Sequence, residues 1–121
     1  MIKVEKTADN LNEGITNMME GAKNDYIRMS TSGGKELEGY SKEQVEKWDS
    51  NTRVSFGKKF IKIVHDTGVF AFVMKEDNGR FKKGDILKAA SWRAPALNSP
   101  RGNVLTGDYQ IRWTGPLYLK G

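Results

Sequence analysis

Two apolar runs, Phe60-Ile61-Lys62-Ile63-Val64-His65 and Val69-Phe70-Ala71-Phe72-Val73-Met74, flank the triplet Asp66-Thr67-Gly68. β-branched and aromatic side chains suit a pleated surface, and Asp and Gly suit a tight turn. The centre of the chain is therefore committed to a β-hairpin. The second run has no polar residue on either face, and its length is far too short to span a bilayer. At 121 residues the chain has the length of one ordinary domain. No internal repeat, low-complexity tract or linker divides it, so residues 1–121 read as a single domain.

Ahead of the hairpin the periodicity changes. Ala8, Leu11, Ile15, Met18, Met19 and Ala22 recur at helical spacing, with Asn10, Glu13, Asn17 and Glu20 opposite. This predicts an amphipathic helix capped by Thr7 and running to about Lys23. Tyr26–Thr31 then reads as a strand, Ser32-Gly33-Gly34 as a turn, and Lys35–Tyr40 as the returning strand. Ser41 and Gln44 fit a capping box, with Tyr40 and Val45 placed as its hydrophobic staple. Trp48, one turn past Val45, is expected to anchor this short helix to the sheet. Downstream, Asp77-Asn78-Gly79 marks a turn. Asp85–Ala90 is strand or short helix, Ser91–Asn103 is irregular, and Val104–Thr114 is a strand with Trp113 in the core and Arg112 facing the other way. The expected fold is α+β: an antiparallel sheet of hairpins with an N-terminal amphipathic helix and a second short helix.

Composition removes whole classes of chemistry. There is no cysteine, so disulfide scaffolds, zinc fingers, iron–sulfur clusters and cysteine nucleophiles are excluded. A single histidine, His65, rules out multi-histidine metal sites in one chain. His65 and Asp66 are neighbours on a strand and point to opposite faces, a poor geometry for a catalytic pair. No nucleophile elbow, P-loop or dinucleotide fingerprint is present. Neither a cofactor nor a metal is expected. Met1–Lys6 has no apolar run of a signal peptide, so the expected location is the cytoplasm, with no membrane partner.

Charge is distributed unevenly. Residues 1–57 hold 8 Lys/Arg against 10 Asp/Glu, whereas residues 58–121 hold 12 against 5. The excess is densest from Arg80 to Arg101, where six cations face Asp85 alone. A basic half interleaved with aromatics points to a phosphate-bearing partner. Within it, Lys88–Val104 gathers the chemistry a nucleotide needs. Arg93 and Arg101 offer planar forks for phosphate oxygens. Asn98 and Asn103 each offer a donor and an acceptor to a base edge or ribose. Trp92, or a strand aromatic such as Phe70 or Phe72, can stack on a base. Arg112 and Arg28 are candidates for the same basic face. Gly102 would let a ligand approach the backbone.

Lys59–His65, Lys83-Gly84-Asp85-Ile86-Leu87, Ala94-Pro95, Arg101-Gly102-Asn103-Val104 and Arg112-Trp113-Thr114-Gly115-Pro116 together resemble small phage and prophage proteins of the first Thoeris anti-defence family. The likeness extends over nearly the whole chain. It implies a sponge and not an enzyme. Family members bind the cyclised ADP-ribose isomers that bacterial TIR-domain proteins make as an alarm signal, leave them intact and block effector activation. It further implies a homo-oligomer (a dimer or a trimer of dimers), cyclic oligonucleotides as additional ligands of some members, and action in the host bacterial cytoplasm during phage infection. On this reading Arg101, Arg93 or Arg112 neutralises pyrophosphate, Asn98 or Asn103 bonds base or ribose, and Phe70, Phe72 or Trp92 stacks on adenine. The alternatives are a small basic nucleic-acid-binding protein, a nucleotide hydrolase using His65 and a carboxylate, and a phage structural or host-inhibitor protein that docks another protein.

Overall fold

The computed structural model describes residues 1–117. Its element order is β1 (Ile2–Val4), α1 (Leu11–Ser30), α2 (Gly39–Glu46), β2 (Thr52–Phe56), β3 (Phe60–His65), β4 (Gly68–Met74), β5 (Ile86–Leu87), β6 (Tyr109–Arg112) and β7 (Gly115–Pro116). The strands form two antiparallel sheets, ordered β1-β6-β7 and β2-β3-β4-β5. The fold is α+β, with antiparallel strands, a long helix near the N-terminus and a second short one. Among the described residues no helix is long and apolar enough to cross a membrane.

The predicted hairpin is β3–β4, closed by Asp66 and Thr67, with Asp66 at φ 56°. Asp tolerates that left-handed conformation because its short side chain bonds locally. The unbroken apolar run of β4 follows from burial on both faces. On one face Ala71 and Val73 join Ile61, Ile63 and Ile86 beneath Ile15, Met18, Met19 and Ala22 of α1. On the other, Phe72 and Met74 pack with Leu87 against Phe60, Phe81 and Ala89.

The first helix departs from the predicted one at both ends. Its cap is Asn10, whose Oδ1 accepts from the Glu13 amide at 2.9 Å, and not Thr7. Its C-terminus is Ser30, so Tyr26–Thr31 is helix and not strand. Tyr26 continues the buried stripe four residues beyond Ala22, and that packing outweighs the short alternation of Tyr26–Met29. With no strand there, Lys35–Glu38 has none to pair with and is irregular. The second helix begins at Gly39 with Glu38 as a cap that makes no side-chain bond, so the Ser41–Gln44 capping box does not form. Tyr40 stands 71% exposed and staples nothing. Val104–Thr114 is strand only from Tyr109 to Arg112, because Gly107 and Asp108 both take positive φ. Strands β1 and β2 went unread, although Thr-Arg-Val-Ser-Phe at 52–56 alternates cleanly.

Helix α1 lies against the rest of the molecule through two glycines. A Cβ on Gly14 would sit 2.6 Å from the Val104 carbonyl oxygen and 2.8 Å from Val104 Cβ. A Cβ on Gly21 would meet only methyl groups, Val4 Cγ2 at 2.7 Å and Ile111 Cγ2 at 3.2 Å. Alanine gains about 1 kcal/mol of helix propensity over glycine, while overpacking costs about 1–3 kcal/mol. At Gly14 the obstacle is backbone, so the cost wins. Gly14→Ala is expected to lower stability by about 1–2 kcal/mol in urea unfolding, and Gly21→Ala by less, because its neighbouring methyls can turn aside.

Candidate functional site

A cleft of about 400 Å³ opens where the C-terminal half of α1, helix α2, the β3–β4 turn and the β6–β7 turn converge. Its walls are aromatic: Tyr26, Tyr40, Trp48, His65, Phe70 and Trp113. The rings run in sequence. Trp113 meets Tyr26 edge-on at 5.1 Å, Tyr26 lies 5.9 Å from Trp48, and Trp48 lies 4.1 Å from His65 at an interplanar angle of 36°.

Each ring is placed by a different part of the fold. Trp48 is 2% exposed, and its Nε1–H donates to the Met19 carbonyl at 3.1 Å. That bond ties the segment after α2 to the middle of α1. His65 ends β3, directly across from Thr52 of β2. Trp113 is held from behind, because its amide donates to Asp25 Oδ2 at 2.9 Å. Asp25 is itself buried and pairs through Oδ1 with the Met1 ammonium at 2.6 Å. Gly115, at φ 129°, brings β7 so close to β4 that a Cβ there would lie 2.9 Å from the Phe70 carbonyl oxygen. This close approach sets the Trp113–Thr114 turn beside Phe70.

The aromatic cleft adjoins a second, more polar one. Met29, Trp113 and Thr114 line both. The second cleft adds Arg28 from the last turn of α1 and Arg112 from β6. Positive field extends beyond it. The pKa of Lys88 is lowered chiefly by burial and further by the charges of Arg101 and Arg112. An aromatic slot beside a cleft that holds two guanidinium groups, together with the Asp25 carboxylate paired to the Met1 ammonium, suits a planar ring bearing an anionic tail.

The predicted residues divide into two groups. Arg28, Arg112 and Phe70 come together at these clefts. Phe70 is 5% exposed and forms wall, so it does not stack freely. Phe72 belongs to neither cleft. It is 3% exposed and packs edge-on to Phe60, so it cannot take a base. In the Ser91–Asn103 loop, Asn98, Arg101 and Asn103 spend their polar groups within the protein. Asn98 Oδ1 accepts from Arg101 at 2.6 Å, and Arg101 also donates to the carbonyls of Ser99 and Leu117. Asn103 donates to the Lys83 carbonyl and to Asp85 Oδ1, and accepts from the amides of Leu105 and Thr106. It is a turn-builder with both ends of its amide engaged. Trp92 is exposed, with Lys62 Nζ 4.2 Å from its ring centroid, and Arg93 is exposed on the same loop. Tyr26, Tyr40, Trp48, His65 and Trp113 were missed as a group. They come from separate elements, and no local spacing links them.

The chain matches the model of DUF7717, a family of unknown function, over residues 2–119, and it is a member of that family. No curated protein and no solved structure matches it.

Burial lowers the pKa of His65, and the neighbouring charge of Asp66 only partly opposes this. The unfolded chain therefore binds the proton more readily than the folded one. The stabilisation is complete above the ordinary value of 6.5 and is lost as pH falls through the lowered folded value. Urea unfolding at pH 7.5 and pH 5.5 is expected to show a smaller drop in stability for His65→Gln than for the unaltered protein.

Proposed function

We propose that this protein binds a nucleotide of the ADP-ribose type and holds it without degrading it. The observation that carries this reading is that the two clefts share Met29, Trp113 and Thr114. A base entering among Tyr40, His65 and Trp113 would direct its phosphates toward the adjoining cleft, which Arg28 and Arg112 line. The volume of about 400 Å³ falls in the range of small-molecule sites. The resemblance to the Thoeris anti-defence proteins supplies a biological sense. A phage protein that sequesters cyclised ADP-ribose in the host cytoplasm would silence the alarm by mass action alone, with no covalent step.

What favours nucleotide over long nucleic acid is the shape of the site. A polymer backbone needs an extended track of cations, whereas here aromatic rings line a pocket and Arg28 and Arg112 line the cleft beside it.

The test incubates the purified protein with cyclised ADP-ribose made by a TIR enzyme, removes free ligand, heat-denatures the protein and chromatographs what is released. Unchanged ligand in stoichiometric amount is expected. A new product would replace the proposal with catalysis, and binding only to long DNA or RNA with steep salt dependence would replace it with a nucleic-acid module. Tyr40→Ala and Arg112→Ala alter exposed side chains, so both variants should fold normally. Loss of one stacking ring or one charge-assisted bond is worth about 1–3 kcal/mol, so each is expected to weaken binding by about tenfold or more in calorimetry.

The same reading expects a homo-oligomer, and strand β2 favours one. Gly57 N–H donates to the Phe60 carbonyl and Asp66 N–H to the Asn51 carbonyl, so the backbone groups of Val54 and Phe56 alternate outward to a free edge. Their side chains are 40% and 55% exposed. Antiparallel pairing of two β2 strands about Val54 sets Arg53 opposite Ser55 of the partner subunit, which avoids a like-charge contact. Val54→Lys is expected to lower the mass seen by light scattering. An unchanged assembly would exclude β2 as the seam, and a monomeric unaltered protein would exclude the oligomer.

A further inference from the structure

We infer that His65 is a specificity-determining residue of the aromatic cleft, which reads the edge of the bound base and selects one that presents an amino group there, as adenine does. The inference rests on the nucleotide reading of the cleft and sharpens it to a class of base.

The argument is a count of protons. Thr52 Oγ1 lies 2.9 Å from the Trp48 carbonyl oxygen and 3.0 Å from His65 Nδ1. A hydroxyl has one proton to give, and a carbonyl oxygen can only accept. Thr52 therefore donates to Trp48, and at its other side it must accept. His65 Nδ1 carries the hydrogen and donates to Thr52 Oγ1. In the neutral ring this leaves Nε2 as a bare lone pair.

The ring is fixed as well as the tautomer. Thr52 and His65 are direct cross-strand partners, and Trp48 lies against the imidazole at 4.1 Å. The chain Trp48–Thr52–His65 closes on itself, because Trp48 supplies both the carbonyl that sets the proton and the indole that sets the plane. Nε2 has no protein partner among the described residues, and the ring lines the cleft, half-buried. An acceptor held in an aromatic slot asks for an N–H donor in the plane of whatever stacks there. The 6-amino group of adenine supplies one. Hypoxanthine carries an oxygen at that position, which sets its lone pair against that of Nε2, and its donor on that edge is N1–H, one ring position away.

The experiment measures binding of ADP-ribose and of inosine 5′-diphosphoribose, in which the 6-amino group becomes an oxygen and N1 gains a hydrogen. It uses the unaltered protein, His65→Gln and Thr52→Val. ADP-ribose is expected to bind the unaltered protein at least tenfold more tightly than the inosine compound. His65→Gln, whose amide can turn to donate or accept, is expected to erase most of that ratio. Thr52→Val leaves the imidazole in place but frees its tautomer, so it should narrow the ratio more than it weakens ADP-ribose binding. Nitrogen-15 spectra of the ligand-free protein at pH 7.5 give a second readout, with the hydrogen expected on Nδ1. Equal binding of the two nucleotides, or a hydrogen on Nε2, overturns the selectivity while leaving the nucleotide reading intact. No binding of either overturns the selectivity, and the nucleotide reading falls with it when cyclised ADP-ribose is not retained either.

Discussion

Trp48 is the junction on which the rest of the structure depends. Its indole N–H reaches back 29 residues to the Met19 carbonyl, and its ring lies between Tyr26 of α1 and His65 of β3. Burial of so large an aromatic contributes a few kcal/mol, and the indole donor would cost a comparable amount if left unbonded. One side chain thus couples both helices to the larger sheet. The carbonyl of the same residue accepts from Thr52 and starts β2. At Trp48 and Tyr26 core packing and cleft wall are the same atoms.

The second constraint is the close approach of the two sheets. Gly115 brings β7 against the Phe70 backbone, and Asp25 holds the Trp113 amide. These contacts carry Trp113 to the boundary between the aromatic cleft and the arginine-lined one. An acidic residue buried at 6% exposure is costly unless its oxygens are bonded. Here one oxygen meets an ammonium and the other a backbone amide.

The loop from Ser91 to Asn103 illustrates how residue type can mislead. Arginine, asparagine, proline and glycine are the residues of a phosphate-binding loop and equally of a loop that must satisfy its own backbone. Asn103 has all of its amide engaged within the protein, and Arg101 divides its bonds among Asn98, Ser99 and Leu117. Composition alone does not distinguish the two uses, because the donors and acceptors are the same. Arg28 and Arg112, by contrast, were candidates only by charge, and they are the ones that share a cleft.

Patterns that act within a few residues were legible. The β3–β4 hairpin followed from its apolar runs and turn, the buried face of α1 from its spacing, and the α+β class from both. Where local signals conflicted with packing, packing prevailed: Tyr26 extended the helix because its ring fills the space beside Trp48. The sequence by itself determined which segments bury an apolar face, and that the second half carries the positive charge. Only the tertiary structure decided that aromatic rings from α1, α2, β3 and the β6–β7 turn would line one cleft, with Arg28 and Arg112 in the cleft beside it. Such a cleft is built from contacts between residues as far apart as Asp25 and Trp113, and nothing in the local chemistry of either records that they meet.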